Sequence, residues 1–561
     1  MRVRVPPLAH DKASGRISPA QEKKAAKKVA SAKGLLRNTF TVGAFTAFSR
    51  VLGLVREMFQ SRLVGAGVEQ SAFTLAFALP NMARKLFGEG ALTAAFVPVF
   101  KGEVESGNVE SAARLARSVM TLVLLMLLAM VSLALCGVGA IARFHELFGF
   151  EDSERLRLTL SLVTTLLPYM VFICGAAFGM GALNALGRFK ASSFMPCLLN
   201  ICWIGALGVL AFFPGMPAAR RVKFVASAIL AAGGVQMCFI LFAMARAGVK
   251  PGLSFRGWAD AKVRLVMRNL WIAAMGAGAI QINYMLDQFL AQKASPWAAG
   301  VIGYAERLMD LPLGIIGVAF GTVLLPTFAG FFAKNDYESA KNALSGSVKS
   351  LMFVMLPAAA GLFALAPEIT SVIYEGGDFD ALATKRVARA LAMYATGLGF
   401  FGFMKSIVPW FQAQNDMKTP LHVSVWTVLL NASLNIAAVF CLPVEWRHVG
   451  LAASTVLCSA VGCTVLVALA IKKNGSLGLS SCIVPTAKIA SASILMGVVV
   501  LWVKDVFQAF FVQLCGADGA ICRIAALGTA IAVGASVYVF CAAALMPNEL
   551  KAALRRFKKG K

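Results

Sequence analysis

The sequence predicts an all-α polytopic membrane protein with about 14 transmembrane helices, and three observations carry that prediction. Hydrophobic residues fill 58% of the 561 positions and charged residues only 14%, where a soluble domain has about 25% charged. The mean hydropathy is +0.74. The apolar residues also fall into runs of about 20 residues or more, each long enough to cross a hydrocarbon layer as a helix.

Taken in order, residues 1–36 are polar and basic with no hydrophobic run, and read as a cytoplasmic arm expected to be disordered rather than a cleavable signal. The apolar runs then span 38–60, 68–100, 115–141, 158–184, 192–213, 223–246, 265–291, 297–330, 346–366, 386–412, 419–443, 449–471, 485–504 and 523–546. The break Gly65-Ala66-Gly67 separates the first two. Runs 68–100 and 297–330 exceed one span, which predicts tilted or broken helices. Prolines at 80, 98, 168, 196, 312, 326 and 409 lie in or beside these runs, and each frees a carbonyl and can bend its helix. A basic tail, 547–561, closes the chain.

The formal charge of +27 is spread over both tails and short loops such as 187–191, 246–268 and 334–349. That distribution fits membrane topology with both termini inside, and argues against a nucleic-acid partner. The 12 Cys include single residues within apolar runs, and the four His are scattered, so no disulfide framework or metal cluster is expected. No GxxxxGK[ST] occurs, so no nucleotide-hydrolysing engine is expected either.

A faint repeat organises the chain. Residues 158–200 resemble 389–431, and 68–100 and 297–330 both carry central charges and close on a proline, FVPVF (96–100) against LLPTF (324–328). Two parallel six-helix lobes, 37–246 and 265–471, followed by two extra helices at 485–546, account for this pattern and favour a transporter over a pore.

Charges inside the apolar runs mark the candidate site. Arg50, Arg56, Glu57, Arg62, Arg84, Lys85 and Glu89 lie between residues 39 and 100, and Glu306, Arg307 and Asp310 lie in 297–330. An arginine at the centre of a membrane helix costs roughly 2.5–3.5 kcal/mol on insertion scales unless it faces a bundle interior or a wet cavity. Two readings stay open: a central cationic cavity awaiting an anion, or arginines that snorkel to the interfaces. Arg307 and Asp310 could neutralise one another at i,i+3, or Arg307 could complete a ring with Arg50, Arg56 and Arg84. Asp287 has no basic neighbour one turn away, so an interhelical ion pair or a cation site is expected there.

Four stretches carry a family resemblance: SRVLGLVRE (49–57), LPNMARKLFGEGALTAAFVP (79–98), YAERLMDLPLGIIGVAFGTVLLP (304–326) and FQAQNDMKTP (411–420). They resemble, in order and over about residues 38–546, the bacterial lipid II flippase family (MurJ/MviN) of the multidrug/oligosaccharidyl-lipid/polysaccharide exporter superfamily. The resemblance implies two six-helix lobes around a central cationic cavity, two C-terminal helices forming a hydrophobic groove, and a location in the bacterial inner membrane. It implies a monomer that moves lipid II, the undecaprenyl-diphosphate-linked peptidoglycan precursor, from the inner to the outer leaflet by alternating access among membrane lipids. It puts substrate-binding roles on Arg50, Arg56, Arg84, Arg307, Ser49, Glu57 and Glu89, while Ser71 replaces an acidic position of some members. It also implies a sodium ion in some members, carried onto Asp287 with Asp416 and with Gln412 where an Asn is expected. Two rival readings are export of another polyprenyl-linked glycan or a drug, and a membrane enzyme acting on a lipid diphosphate. The enzyme would need clustered Asp, Asn or His, and NDMK (415–418) is sparse for that.

Overall fold

The computed structural model describes residues 19–145, 154–255, 258, 260–515 and 519–547, and among them the chain is helical with no strand. The helices are α1 (Pro19–Val64), α2 (Val68–Ala83), a π-helical turn (Arg84–Gly90), α3 (Ala91–Glu105), α4 (Val109–Arg143), α5 (Glu154–Leu166), α6 (Tyr169–Ala185), α7 (Phe189–Ala211) and α8 (Ala218–Arg246). The second half follows as α9 (Ala261–Ala294), α10 (Ala298–Phe332), α11 (Tyr337–Ala364), the short α12 (Ala366–Tyr374), α13 (Ala381–Ala413), α14 (Lys418–Cys441), α15 (Val444–Asn474), α16 (Ser480–Cys515) and α17 (Ala520–Leu545).

Ten of these spans are long and apolar enough to cross a membrane among the described residues: α4, α5 with α6, α7, α8, α11, α13, α14, α15, α16 and α17. The other predicted runs are also helical, as α1, as α2 with the π-turn and α3, as α9 and as α10. These four hold the arginines and carboxylates singled out above.

Local sequence sets most of the boundaries. Asn108, Asp260, Asp336 and Asp380 cap α4, α9, α11 and α13 by accepting from Ser111, Lys262, Ser339 and Ala383 backbone N–H groups at 2.7–3.0 Å. Pro168 separates α5 from α6. The overlong run 68–100 is broken by the π-turn, which begins four residues after Pro80. At the N-terminus the basic arm departs from the expected disorder. Residues 19–36 continue α1 outward as helix because PAQEKKAAKKVASAK is rich in Ala and Lys, good helix formers. Residues 1–18 and the tail beyond Pro547 lie outside the described residues.

Buried apolar side chains form three clusters. The first runs from Val64 to Ala274 and fills the interior of α2–α8. The second gathers α10, α12, α13 and α15 around Tyr304, Tyr374 and Leu391, and the third packs α11, α13 and α15 against the C-terminal pair α16–α17. Helix α9 belongs to two of them. Its first half (Val263, Val266, Leu270, Ala274) buries in the first cluster and its end (Ala291, Ala294) in the second.

Candidate functional site

A cavity of about 480 Å³ opens between the two halves, walled by α1, α10 and α13. From α1 come Arg50, Gly53, Leu54 and Glu57, spaced i, i+3, i+4 and i+7 on one helix face, with Arg56 beside them. From α10 come Arg307, Asp310, Leu311 and Gly314 at the same spacing, and α13 adds Lys405. Four basic side chains thus face two carboxylates, so the cavity is cationic.

Glu57 is the hinge of this charge arrangement. It is paired with Arg56 on its own helix and stands 3.5 Å from Arg307 Nε on α10. Arg307 is 52% exposed, so its side chain remains open to the cavity. Arg56 is 12% exposed and fixed on three sides: by Glu57, by Asn200 Oδ1 at 3.0 Å, and by the Trp203 ring 4.3 Å below it. Its Nε is buried with no hydrogen-bond partner. Arg50 Nη2 donates to Gly314 O at 3.1 Å, a cross-helix contact that needs glycine because a Cβ at 314 would come within 2.2 Å of Arg50 Nη1. No Arg307–Asp310 ion pair forms among the described residues.

A polar layer beneath the cavity holds these groups in place. Asn200 Nδ2 donates to Ser49 O and Oγ at 3.1 and 3.3 Å, so Ser49 positions the asparagine that positions Arg56. Trp203 Nε1 donates to Gln60 at 3.2 Å, and Gln60 donates to Gln70 at 3.1 Å. Arg84 is absent from the cavity lining. It lies in the π-turn, where its Nε and Nη2 both donate to Asn81 Oδ1 at 3.2 and 2.9 Å. The predicted ring is therefore three arginines and a lysine, with Arg84 set apart on α2's continuation. Glu89 is in the same turn, with its side chain outside the described residues. Lys405, Asn200 and Trp203 were not singled out from sequence. A lone lysine in the apolar run 386–412 was the one available signal.

The expected cation site changes composition. Asp287 accepts from Asn435 Nδ2 at 2.6 Å and Asn283 Nδ2 at 3.3 Å, and Asn435 also donates to Asn431 Oδ1 at 3.0 Å. Asp416 lies before α14, where it accepts from Thr419 N and Oγ1 at 3.0 and 2.8 Å and pairs with Lys473 at 2.9 Å. Asn435 is 17 residues along α14 from Lys418, about 26 Å at 1.5 Å per residue, so Asp287 and Asp416 cannot share an ion. Gln412 sits in the last turn of α13, its carbonyl accepting from Asn415 N at 3.0 Å. Sodium fits the Asp287 group instead. Its donors are all oxygens, and Asn435 Oδ1 and Asn283 Oδ1 are buried with no hydrogen-bond partner, two acceptors short of a positive charge.

One end of the cavity is sealed. The α1–α2 turn meets the segment after α12: Asp378 N donates to Arg62 O at 2.9 Å, Ser61 Oγ to Tyr374 O at 3.1 Å, and Tyr304 Oη to Gly65 O at 3.1 Å. Arg221 Nη1 clamps the seam, reaching Asp378 Oδ2 at 2.8 Å and Leu63 O at 2.7 Å. Gly65 (φ +76°) and Gly377 (φ +58°) are left-handed, and a Cβ on either would come within 2.6 Å or 2.2 Å of the opposite carbonyl oxygen. Ser71 closes the same end, its Oγ accepting from Gly300 N at 3.0 Å in the first turn of α10.

Residues 60–516 match the family described as lipid II flippase MurJ. The chain is 33% identical over 403 residues to the probable lipid II flippase MurJ of Rhizobium tropici, covering 72% of this chain and 75% of that protein. It is 30% identical over 405 residues to the lipid II flippase MurJ of Burkholderia cenocepacia, covering 72% and 78%. Among solved structures, the inward closed conformation of lipid II flippase MurJ superposes with a TM-score of 0.70 over 90% of this chain and 98% of that one, at 22% identity. An inward-facing multidrug resistance MATE transporter of the MOP superfamily gives 0.63 over 76% and 96%, at 16% identity. The chain belongs to the lipid II flippase MurJ family.

Proposed function

We propose that this member of the MurJ family is a lipid II flippase, a transporter that carries the polyprenyl-diphosphate-linked peptidoglycan precursor from the inner to the outer leaflet. The observation that carries the reading is the Arg56–Glu57–Arg307 bridge, two guanidiniums from opposite halves sharing one carboxylate inside a cationic cavity. A pyrophosphate carries the charge that cannot cross hydrocarbon alone, whereas the polyprenyl chain can stay in lipid. Guanidinium groups match phosphoryl oxygens with paired, planar donors. Glu57 keeps Arg56 and Arg307 close and partly neutralised before cargo arrives, and the open edge of Arg307 is the first donor a pyrophosphate would meet.

In this reading the chain forms two six-helix lobes of a fourteen-helix transporter in the bacterial inner membrane, with both termini cytoplasmic. The sealed end then faces the outside, and cargo release requires the seam at Arg62, Gly65 and Asp378 to part. Arg50, tied to Gly314 across the halves, would have to exchange partners in the same step. A sodium ion on Asp287, Asn283 and Asn435 would supply a fixed positive charge where α9 meets α14, giving the cycle a place to couple to a cation gradient. The test is leaflet-resolved lipid II translocation in cells depleted of their own flippase and complemented with this chain or with Arg307→Ala. Wild type restores outer-leaflet lipid II and the variant does not. Failure of the wild-type chain at normal membrane levels would overturn the reading.

A further inference from the structure

A second cavity, about 280 Å³, lies at the sealed end among α12, the start of α13 and the C-terminal pair α16–α17, well away from the arginines of the central cavity. Its charges are arranged so that one cation is left over. Lys504 pairs with Glu368 at 2.6 Å, and Arg523 pairs with Glu375 at 3.0 Å while also donating to Ser371 Oγ at 3.0 Å. Thr384 Oγ1 donates to the second Glu375 oxygen at 3.0 Å, and the second Glu368 oxygen is buried behind its ion pair. Both carboxylates are therefore occupied or out of reach. Lys385, on the same wall, is exposed and makes no ion pair among the described residues.

The depth of these groups points to the membrane surface. Lys504 ends the uncharged stretch 489–503 of α16, and Arg523 precedes the uncharged stretch 524–545 of α17, each about the length of a bilayer crossing or somewhat less. Trp502, 84% exposed beside Lys504, is the residue type found at headgroup level. Apart from Gln508, the rest of the cavity wall is apolar, including Val372, Ala526, Leu527 and Ala530. A site with one net positive charge, one apolar wall and a position at headgroup depth is suited to an amphiphile with one net negative charge.

We propose that this cavity binds the headgroup of an anionic glycerophospholipid, with the phosphodiester against Lys385 and the acyl chains along α16 and α17. A zwitterionic choline lipid fits less well, because its ammonium would find no available carboxylate among the residues lining the cavity. A free phosphate would leave the apolar wall unused. Glu375, which helps form the site, is followed directly by Gly376–Asp378, so a lipid held here would sit beside the segment that seals the transporter.

The purified full-length protein, delipidated in neutral detergent, is mixed with equimolar dioleoylphosphatidylglycerol and dioleoylphosphatidylcholine and examined by native mass spectrometry. One phosphatidylglycerol should be retained in preference to phosphatidylcholine by about fivefold, the effect of one lysine at a lipid surface. Lys385→Glu should abolish the preference, Lys385→Arg should keep it, and Lys488→Glu, elsewhere on α16, should leave it unchanged. A thermal unfolding scan identifies any variant that fails to fold, and Lys385→Ala then replaces Lys385→Glu. Equal retention of the two lipids by wild type, or an unchanged preference in the folded Lys385 variants, would overturn the proposal. Displacement of the retained lipid by inorganic phosphate at equal concentration would overturn it too, by assigning the site to a free anion.

Discussion

Arg307 and Arg221 are the same side chain put to opposite uses. At the sealed end, Arg221 is 12% exposed and spends its donors on Met216 O at 2.6 Å, Leu63 O at 2.7 Å and Asp378 Oδ2 at 2.8 Å. In the cavity, Arg307 is 52% exposed and has one acidic partner, at 3.5 Å. A guanidinium whose donors are saturated by protein acceptors holds two pieces of chain together. One left short of acceptors in a cavity is available to an anion, and its planar fork is already organised, so less conformational freedom is lost for each hydrogen bond formed. The difference separates groups that bind from groups that close, and it can be broken experimentally from either side.

The largest effect is expected in the cavity. Arg307→Ala should abolish complementation at matched membrane levels while barely changing thermal stability. Arg56→Ala should abolish it too but also lower the unfolding temperature, because it strips a buried carboxylate and Asn200 of their partner. Lys at either position should restore growth only partly because it lacks the planar fork. Normal growth of both alanine variants would show that the cavity guanidiniums are not needed for transport. Next comes the seam. Gly377→Ala forces a left-handed residue costing about 1–2 kcal/mol and adds a methyl within 2.2 Å of Arg62 O. In a background lacking native cysteines, a cysteine placed at Ser61 should then react severalfold faster with an impermeant thiol reagent, and an unchanged rate would mean the seam tolerates the strain.

Arg221→Ala should act in the same direction but less strongly, since it removes a half-buried ion pair and backbone contacts worth about 1–3 kcal/mol and leaves the backbone hydrogen bonds of the seam intact. Its signature is faster labelling of the same Ser61→Cys probe together with a lower unfolding temperature. Arg307→Ala should show neither change. If Arg221→Ala behaved like Arg307→Ala, the distinction between saturated and open guanidiniums would fail.

The carboxylates provide a matching contrast. Asp287→Asn should remove the extra thermal stabilisation that sodium confers over potassium, while Asp416→Asn should leave it, because Asp287 meets α14 at Asn435 whereas Asp416 precedes the start of that helix. Equal stabilisation of wild type by both ions would dismiss the cation site. The smallest effect concerns Asp416 itself. Its hydrogen bond from the Lys473 ammonium, with those from Thr419, lowers its carboxyl pKa from 3.8 to about 2. Its contribution, about 1 kcal/mol or less for a surface pair, is therefore fully present above pH 4 and lost as the pH falls toward 2. Unfolding of wild type and Asp416→Asn between pH 5 and pH 2, on a scale of about one pH unit per step, should converge at the acid end. A constant difference throughout would assign the stabilisation to something other than ionisation.

Apolar run length and proline were enough to mark the helical segments, because they act through neighbouring residues. The spacing of Arg50, Gly53, Leu54 and Glu57, and of Arg307, Asp310, Leu311 and Gly314, already puts each set on one helix face. The four motifs that resemble the MurJ family could likewise be read from the chain alone. What opposes each face was not readable. Arg56 meets Asn200 and Trp203, 144 and 147 positions away, and Arg307 meets Glu57 rather than Asp310 one turn below. Asp287 finds Asn435 instead of Asp416, and Arg84 turns to Asn81 through a π-turn that no periodicity announces. Sequence by itself determined the segments, the charged faces and the family, since these follow from local periodicity and residue chemistry. Only the tertiary structure decided which charges share a cavity, because the rotation and vertical offset between packed helices are set by the summed contacts of whole interfaces, and a shift of one residue turns a side chain by about 100° away from its partner.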